Sequence, residues 1–229
     1  LVGRDAEMAV LKAATEQVIS GAGSEGEVVG EPGNGKTRLV DEAVAQSSGV
    51  TVLRCDCDRT GAETPYAPVR RLLHRVLGTS SAMDPNTVAK CLQDCVVASA
   101  PELAPWASLL GVVLDVTLPA SPEVAELEEQ HRAERVPELV ADLLERMVPI
   151  PAAFVVEDAH LADPASAEVL AAMGRRTQQQ PWLLLVTRED RPTGWVPAAT
   201  QRIELGPLDV ASSTELAEMA TPDRPLPPA

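Results

Sequence analysis

The sequence predicts an α/β fold, a three-layer sandwich with a central parallel sheet and a helical insertion. Three observations lead there. Short apolar strands alternate with amphipathic helical segments along most of the 229 residues. Each strand is apolar throughout, as in parallel sheets covered on both faces. The apolar content, 45%, supports one sizeable domain, and the five aromatics (Tyr66, Trp106, Phe154, Trp182, Trp195) leave its core to Val, Leu, Ala and Ile.

From Asp5 to about Ser20, apolar residues at Met8, Val10, Leu11, Ala14 and Val18 keep a helical period, with Asp5 as the expected N-cap. "GAGSEG" (21 to 26) reads as a turn and "EVVG" as a short strand running into "GEPGNGKTRLV" (30 to 40). Helical spacing resumes from Lys36 to about Ala45. "VTVLRC" (50 to 55) is a second strand, and "PYAPVRRLLHRVLG" (65 to 78) a helix started by Pro68 and stopped by Gly78.

Residues 79 to about 148 read as almost wholly helical, divided by Pro101, Pro105 and Pro119. Within them, 121 to 147 gives one or two longer amphipathic helices with an interruption expected near Pro137. "AAFVVED" (152 to 158) is a buried strand ending in two acids, followed by a helix over 164 to 176. "WLLLVTRED" (182 to 190) and "QRIELGPL" (201 to 208) are further strands. A helix over 211 to 220 precedes the proline-rich "TPDRPLPPA", which reads as a linker. In parallel sheets ligands sit at the carboxyl ends of the strands, so the polar ends "GEPGNGKT", "ED" and "TRED" are expected to share one crevice.

Charge and composition exclude several classes. A net charge of −15 repels phosphate backbones, so direct nucleic-acid binding by this chain is not expected. No apolar run approaches the roughly 20 residues that span a bilayer, and "LVGRDAEM" lacks signal-peptide order, so no membrane association and a cytoplasmic location are expected. Cys55 and Cys57 stand at strand spacing and Cys91 and Cys95 at helical spacing. They match no common zinc module, and ordinary reduced thiols are the expected reading.

The glycine-rich stretch carries the chemistry. A triphosphate needs several donors converging on closely spaced oxygens, and N–H groups at a helix N-terminus supply them with the positive end of the helix dipole. Backbone can approach only where side chains are absent, which Gly30, Gly33 and Gly35 provide; Lys36 is placed for the β- and γ-phosphates and the Thr37 hydroxyl for Mg²⁺. The run satisfies G-x-x-x-x-G-K-[ST] between a strand and a helix. Glu31, Pro32 and Asn34 inside it, and Arg38 after it, complete the expected nucleotide-binding set with ATP or ADP as ligand.

Glu157 and Asp158, at a strand end downstream, are the expected Mg²⁺ holder and water-activating base, in an order the residues leave open. His160 reads as a positioning hydrogen-bond residue near them. Arg188, after Thr187 at the next strand end, is read either as a sensor that stabilises γ-phosphate charge or as a surface arginine paired with Glu189 or Asp190.

Taken together, "LVGRDAEMAVL", "GEPGNGKTRLV", "PYAPVRRLL", "VVEDAHLADPAS", "LLLVTRED" and "IELGPLD", in that order, resemble the P-loop ATPase modules of the AAA/STAND group found in bacterial multidomain class III adenylate/guanylate cyclases and LuxR-type regulators. The resemblance implies a P-loop NTPase domain over 1 to 208, with 209 to 229 as the start of a truncated helical lid or linker. It also implies that Val2, Gly3 and Arg4 lie near the adenine, and that effector domains are covalently attached. Two departures stand out: Glu157-Asp158 replaces the more frequent Asp-Asp, and Leu161 replaces a frequent tryptophan.

The implied function is a Mg-ATP-binding, slowly hydrolysing regulatory switch, mostly monomeric without partners and open to nucleotide-dependent self-association. No arginine finger can be assigned; Arg175 and Arg176 read better as a solvated helix end. A non-hydrolysing nucleotide-binding scaffold is the competing class. A small-molecule kinase is disfavoured by the lack of a basic lid segment for its acceptor.

Overall fold

The computed structural model describes residues 2–199 and 201–220. The elements run α1 (Asp5–Ile19), β1 (Ser24–Gly30), α2 (Lys36–Ala45), β2 (Thr51–Asp56), α3 (Ala67–Leu77), α4 (Pro85–Ser99), α5 (Ala107–Leu114), α6 (Pro122–Ala125), α7 (Glu129–Met147), β3 (Ala152–Glu157), α8 (Pro164–Arg176), β4 (Trp182–Arg188), β5 (Gln201–Leu205) and α9 (Val210–Ala220). Short 3₁₀ turns occupy Pro101–Trp106 and Ala159–Leu161.

Five parallel strands form one sheet in the order β2-β3-β4-β1-β5. The apolar continuity of β3 and β4 follows from their central position, because the pleat sends alternate residues to opposite faces and both faces are covered. Ala153, Val155, Leu183 and Leu185 face α1 and α2, meeting Leu11, Val18, Leu39 and Val40. Phe154, Val156, Trp182, Leu184 and Val186 face the other layer, where α3, α8 and the helical insertion contribute Leu72, Leu73, Leu143, Leu144, Leu170 and Met173. Phe154 and Trp182 meet edge to face, their ring centroids 4.8 Å apart. This is the expected three-layer sandwich.

Four details differ from the sequence reading. β1 begins at Ser24 rather than Glu27, since Ser24 to Gly26 pair in register with Leu183 to Leu185 of β4. Asp5 is the first residue of α1 rather than its cap; Arg4 holds the cap position and makes no side-chain capping bond. α7 runs through Pro137 without interruption. A proline inside a helix costs about 3 kcal/mol, and here burial of Val136, Leu139, Val140, Leu143 and Leu144 on one stripe offsets it. Finally, β2 is less buried than an interior strand because it is the sheet edge, with α3 alongside: Arg71 and Arg75 donate to the carbonyls of Asp56 and Arg54. The expected linker over 221 to 229 lies outside the described residues.

No described helix is long and apolar enough to cross a membrane. Cys55 and Cys57 are buried thiols in the core, Cys91 and Cys95 half-buried on α4, and no cluster of three metal-ligating side chains occurs among the described residues.

Candidate functional site

The chain leaves β1 at Gly30, loops through residues 31 to 35 and enters α2 at Lys36, whose cap residue Gly35 is left-handed at φ 86°. Gly33 is also left-handed, φ 88°, and a Cβ at either position would meet nothing within 4 Å. Both glycines are therefore required by backbone conformation, and the space beside them stays open. Gly30 has a different reason: a Cβ there would lie 2.7 Å from the Leu205 carbonyl oxygen, so it is glycine to let β5 pass. Asn34 Nδ2 donates to the same carbonyl at 2.8 Å, pinning the loop to β5.

Lys36 is 8% exposed, and its Nζ donates to the carbonyls of Gly30 at 2.8 Å and Glu31 at 3.2 Å. Among the described residues it forms no ion pair. A nearly buried ammonium held only by neutral carbonyls, under an open glycine cradle at a helix N-terminus, fits a site built for an anion.

Glu157 sits at the end of β3 on the α2 face, because it continues the alternation of Ala153 and Val155. Its Oε2 accepts from Thr37 Oγ1 at 3.1 Å and its Oε1 from Arg54 Nη1 at 2.5 Å. A hydroxyl and a carboxylate are oxygen donors of the kind Mg²⁺ takes, so the pair fits that ion. Asp158 follows in a left-handed conformation, φ 51°, and its N–H donates to Thr187 Oγ1 at 3.1 Å. Left-handed backbone is unfavourable by about 1–2 kcal/mol for residues other than glycine, and among these Asn and Asp tolerate it best. His160, 6% exposed, turns to β4: its Nδ1 accepts from the Glu189 N–H at 3.3 Å, and Nε2 lies 3.4 Å from Glu189 Oε1.

The structure does not bring Arg188 to this group, and neither sequence reading of it holds. Thr187 shares the face of Leu183 and Leu185, toward α2, whereas Arg188 shares the face of Leu184 and Val186. There it is 3% exposed and pairs with Glu27 at 3.2 Å, while Glu27 also accepts from Arg202 at 3.0 Å. Arg175 and Arg176 pair with Glu138, and Arg176 also with Asp142.

Beside the loop lies a cavity of about 520 Å³, lined by Val2, Arg4, Gly33, Asn34, Gly35 and Arg38 on one side and by Pro207, Leu208, Ser213, Leu216 and Met219 on the other. Its size is within the range of small-molecule sites. Arg4 closes one corner, donating to the Gly206 carbonyl at 2.6 Å and to Glu7 at 3.0 Å. Gly3, φ 65°, packs under α9; a Cβ there would lie 2.3 Å from Ser212 Oγ. The resemblance-derived Val2, Gly3 and Arg4 are thus drawn to the loop and to α9.

Sequence reasoning missed the residues of α9 and the arginine on Glu157. A charged residue inside the apolar run "VTVLRC" was the available signal for Arg54, and Asp41 stands one helical turn after Thr37.

The sequence matches the AAA ATPase domain model over residues 1–186. No curated protein sequence matches it. Among solved structures it is similar to Cdc6p from Pyrobaculum aerophilum (12% identity, TM-score 0.52, covering 93% of this chain and 48% of that one). It is also similar to a signal transduction ATPase with numerous domains carrying a tetratricopeptide repeat sensor, from Pyrococcus horikoshii (14% identity, TM-score 0.45, 97% and 26%). A DNA replication initiation factor gives 12% identity and a TM-score of 0.46, with 96% and 51% covered. The chain thus spans about a quarter to a half of the length of these structures, and at such identities the likeness concerns the fold. The motif-bearing loop, the parallel sheet and a model match over most of the chain agree: the chain belongs to the AAA ATPase domain family, whose members are nucleotide-binding modules.

Proposed function

We propose that the chain binds ATP with Mg²⁺, hydrolyses it slowly and acts as a nucleotide switch for effector domains attached to it. The observation that carries this reading is the meeting of Lys36, Thr37 and Glu157 at one end of the sheet, with Thr37 bonded to Glu157 at 3.1 Å.

In this reading the loop from Gly30 to Gly35 and the first N–H groups of α2 hold the phosphates, and Lys36 trades its two carbonyl partners for phosphate oxygens. Thr37 and Glu157 would hold the metal, which would supply neutralisation of the triphosphate charge. Asp158 orients and deprotonates the attacking water. Its backbone is fixed by Thr187, which takes over at the end of β4 the place first expected of Arg188. Val2 and Arg4 line the base side with Leu216 and Met219, and Gly3 lets this segment pack against α9.

The switch is supported by the composition of the cavity wall. One side belongs to the phosphate loop and the N-terminal segment, the other to α9 and the segment before it, joined through Arg4 and Gly3. A ligand that contacts both sides favours the closed arrangement by its differential affinity. Location in the cytoplasm and nucleotide-dependent self-association belong to the same proposal.

The test is nucleotide content after purification, followed by phosphate release with and without Mg²⁺. Retained nucleotide and slow Mg²⁺-dependent release support the reading. Retained nucleotide with no release leaves the non-hydrolysing scaffold, and absence of nucleotide affinity overturns both.

A further inference from the structure

Four side chains form a hydrogen-bonded series beside the phosphate loop. Thr37 donates to one oxygen of Glu157 at 3.1 Å; Arg54 donates to the other at 2.5 Å and, through its second terminal nitrogen, to Asp41 at 2.5 Å. Asp41 returns to Thr37 along α2, four residues on, so both face the sheet from one side of the helix. Arg54 and Glu157 come from adjacent strands in register, with Arg54 opposite Val155 and Asp56 opposite Glu157.

The geometry points to Arg54 as a positioning residue for Glu157: held by Asp41, it fixes the glutamate so that its second oxygen faces the Thr37 hydroxyl, where Mg²⁺ is to be bound. This rests on the Mg-ATP reading above. A glutamate carboxylate hangs on three rotatable bonds, and unless both ends of its fan of positions are restrained it samples rotamers that miss the metal. The guanidinium fork suits the task because its two terminal nitrogens address two carboxylates at once; an ammonium on a flexible stem has no such fixed fork. Stability is a poor explanation for the arrangement. The side chains of Arg54 and Asp41 are 32% and 47% exposed, and ion pairs so exposed contribute about 0–1 kcal/mol.

The alternative is that Arg54 acts only through its charge. A cation beside a metal ligand repels the incoming dication, so its removal would then tighten Mg²⁺ binding, and a lysine in its place would change nothing. Positioning predicts the reverse on both counts, since outer partners of metal ligands typically contribute about 10–100-fold in metal affinity.

The experiment is calorimetric titration of ATP into the chain, with Mg²⁺ and with EDTA, for the parent, Arg54→Lys and Arg54→Met. Expected is a loss of about tenfold in the Mg²⁺-dependent gain in affinity for both variants, with affinity in EDTA unchanged. In a Glu157→Gln background Arg54→Lys should have no further effect. A parental gain in Arg54→Lys, or a tighter Mg-ATP complex in Arg54→Met, overturns the proposal and leaves the Mg-ATP reading intact. A parent with no ATP affinity in either buffer overturns both. Arg54→Lys, which keeps the charge and most of the stem, decides the matter even if Arg54→Met does not fold.

Discussion

The Thr37 hydroxyl donates to the Glu157 carboxylate at 3.1 Å, joining two residues 120 positions apart in the chain. The contact exists because β1 and β3 deliver their ends to the same edge of the sheet and because both side chains lie on its α1/α2 face. It separates the two neighbouring acids: Glu157 meets the hydroxyl through its side chain, while Asp158 has a left-handed backbone whose N–H is held by Thr187.

Those placements predict different losses. Glu157→Gln should weaken the Mg²⁺ dependence of ATP binding. Asp158→Asn should retain Mg-ATP and lose about 100-fold or more in hydrolysis, the usual size of a general-base effect. Calorimetry beside single-turnover phosphate release checks both; unchanged hydrolysis in Asp158→Asn moves the base to Glu157.

Lys36→Ala should weaken ATP binding by about 10–100-fold, since hydrogen bonds to charged groups contribute about 1.5–3 kcal/mol. The folded state should tolerate the change, because among the described residues Lys36 is held by the Gly30 and Glu31 carbonyls alone. Thermal-shift titration measures it: equal stabilisation of variant and parent by Mg-ATP would count against the phosphate role.

Arg188→Ala should act on stability rather than on nucleotide choice. Removing one partner of a buried ion pair costs about 3–5 kcal/mol. Glu27 keeps Arg202, so the lower end applies, and for a domain of this size about 3 kcal/mol corresponds to a fall of roughly 6–12 °C in melting temperature. Thr187→Val should instead slow hydrolysis with little effect on ATP affinity. An Arg188→Ala variant that melts like the parent but loses ATP/ADP discrimination would return Arg188 to the phosphate site.

His160 predicts a pH dependence. Burial pushes its imidazole below the ordinary value near 6.5, against the opposing pull of Glu189 and Asp158. The unfolded chain then binds the proton more readily, so this contribution to stability is fully present above about pH 6.5 and is lost as pH falls through the lowered folded value. His74 shifts the same way, through burial first and Arg70 second. Denaturant unfolding at about pH 7.5 and about pH 5.5 should show His160→Gln losing less stability on acidification than the parent; an equal loss would place the effect on other groups.

The sequence by itself determined the parts that are local. The strand, glycine loop and helix from Glu27 to Ala45 are contiguous, and the phosphate chemistry of Gly33, Gly35, Lys36 and Thr37 needs only that local geometry. The apolar runs of β3 and β4 announced a sheet covered on both faces, and "ED" at a strand end announced the acids. Tertiary structure decided everything that depends on register and on the pleat. Thr187 and Arg188 are adjacent, so only one can face the loop, and the sequence does not say which; the position of β4 between β3 and β1 sends Thr187 there and Arg188 to Glu27. Gly30 looked like part of the phosphate cradle, but its requirement comes from Leu205, which only β5 pairing beside β1 brings close. Arg54 reaches Glu157 because β2 pairs with β3 after a crossover of some hundred residues, and no local pattern encodes a contact made across that distance.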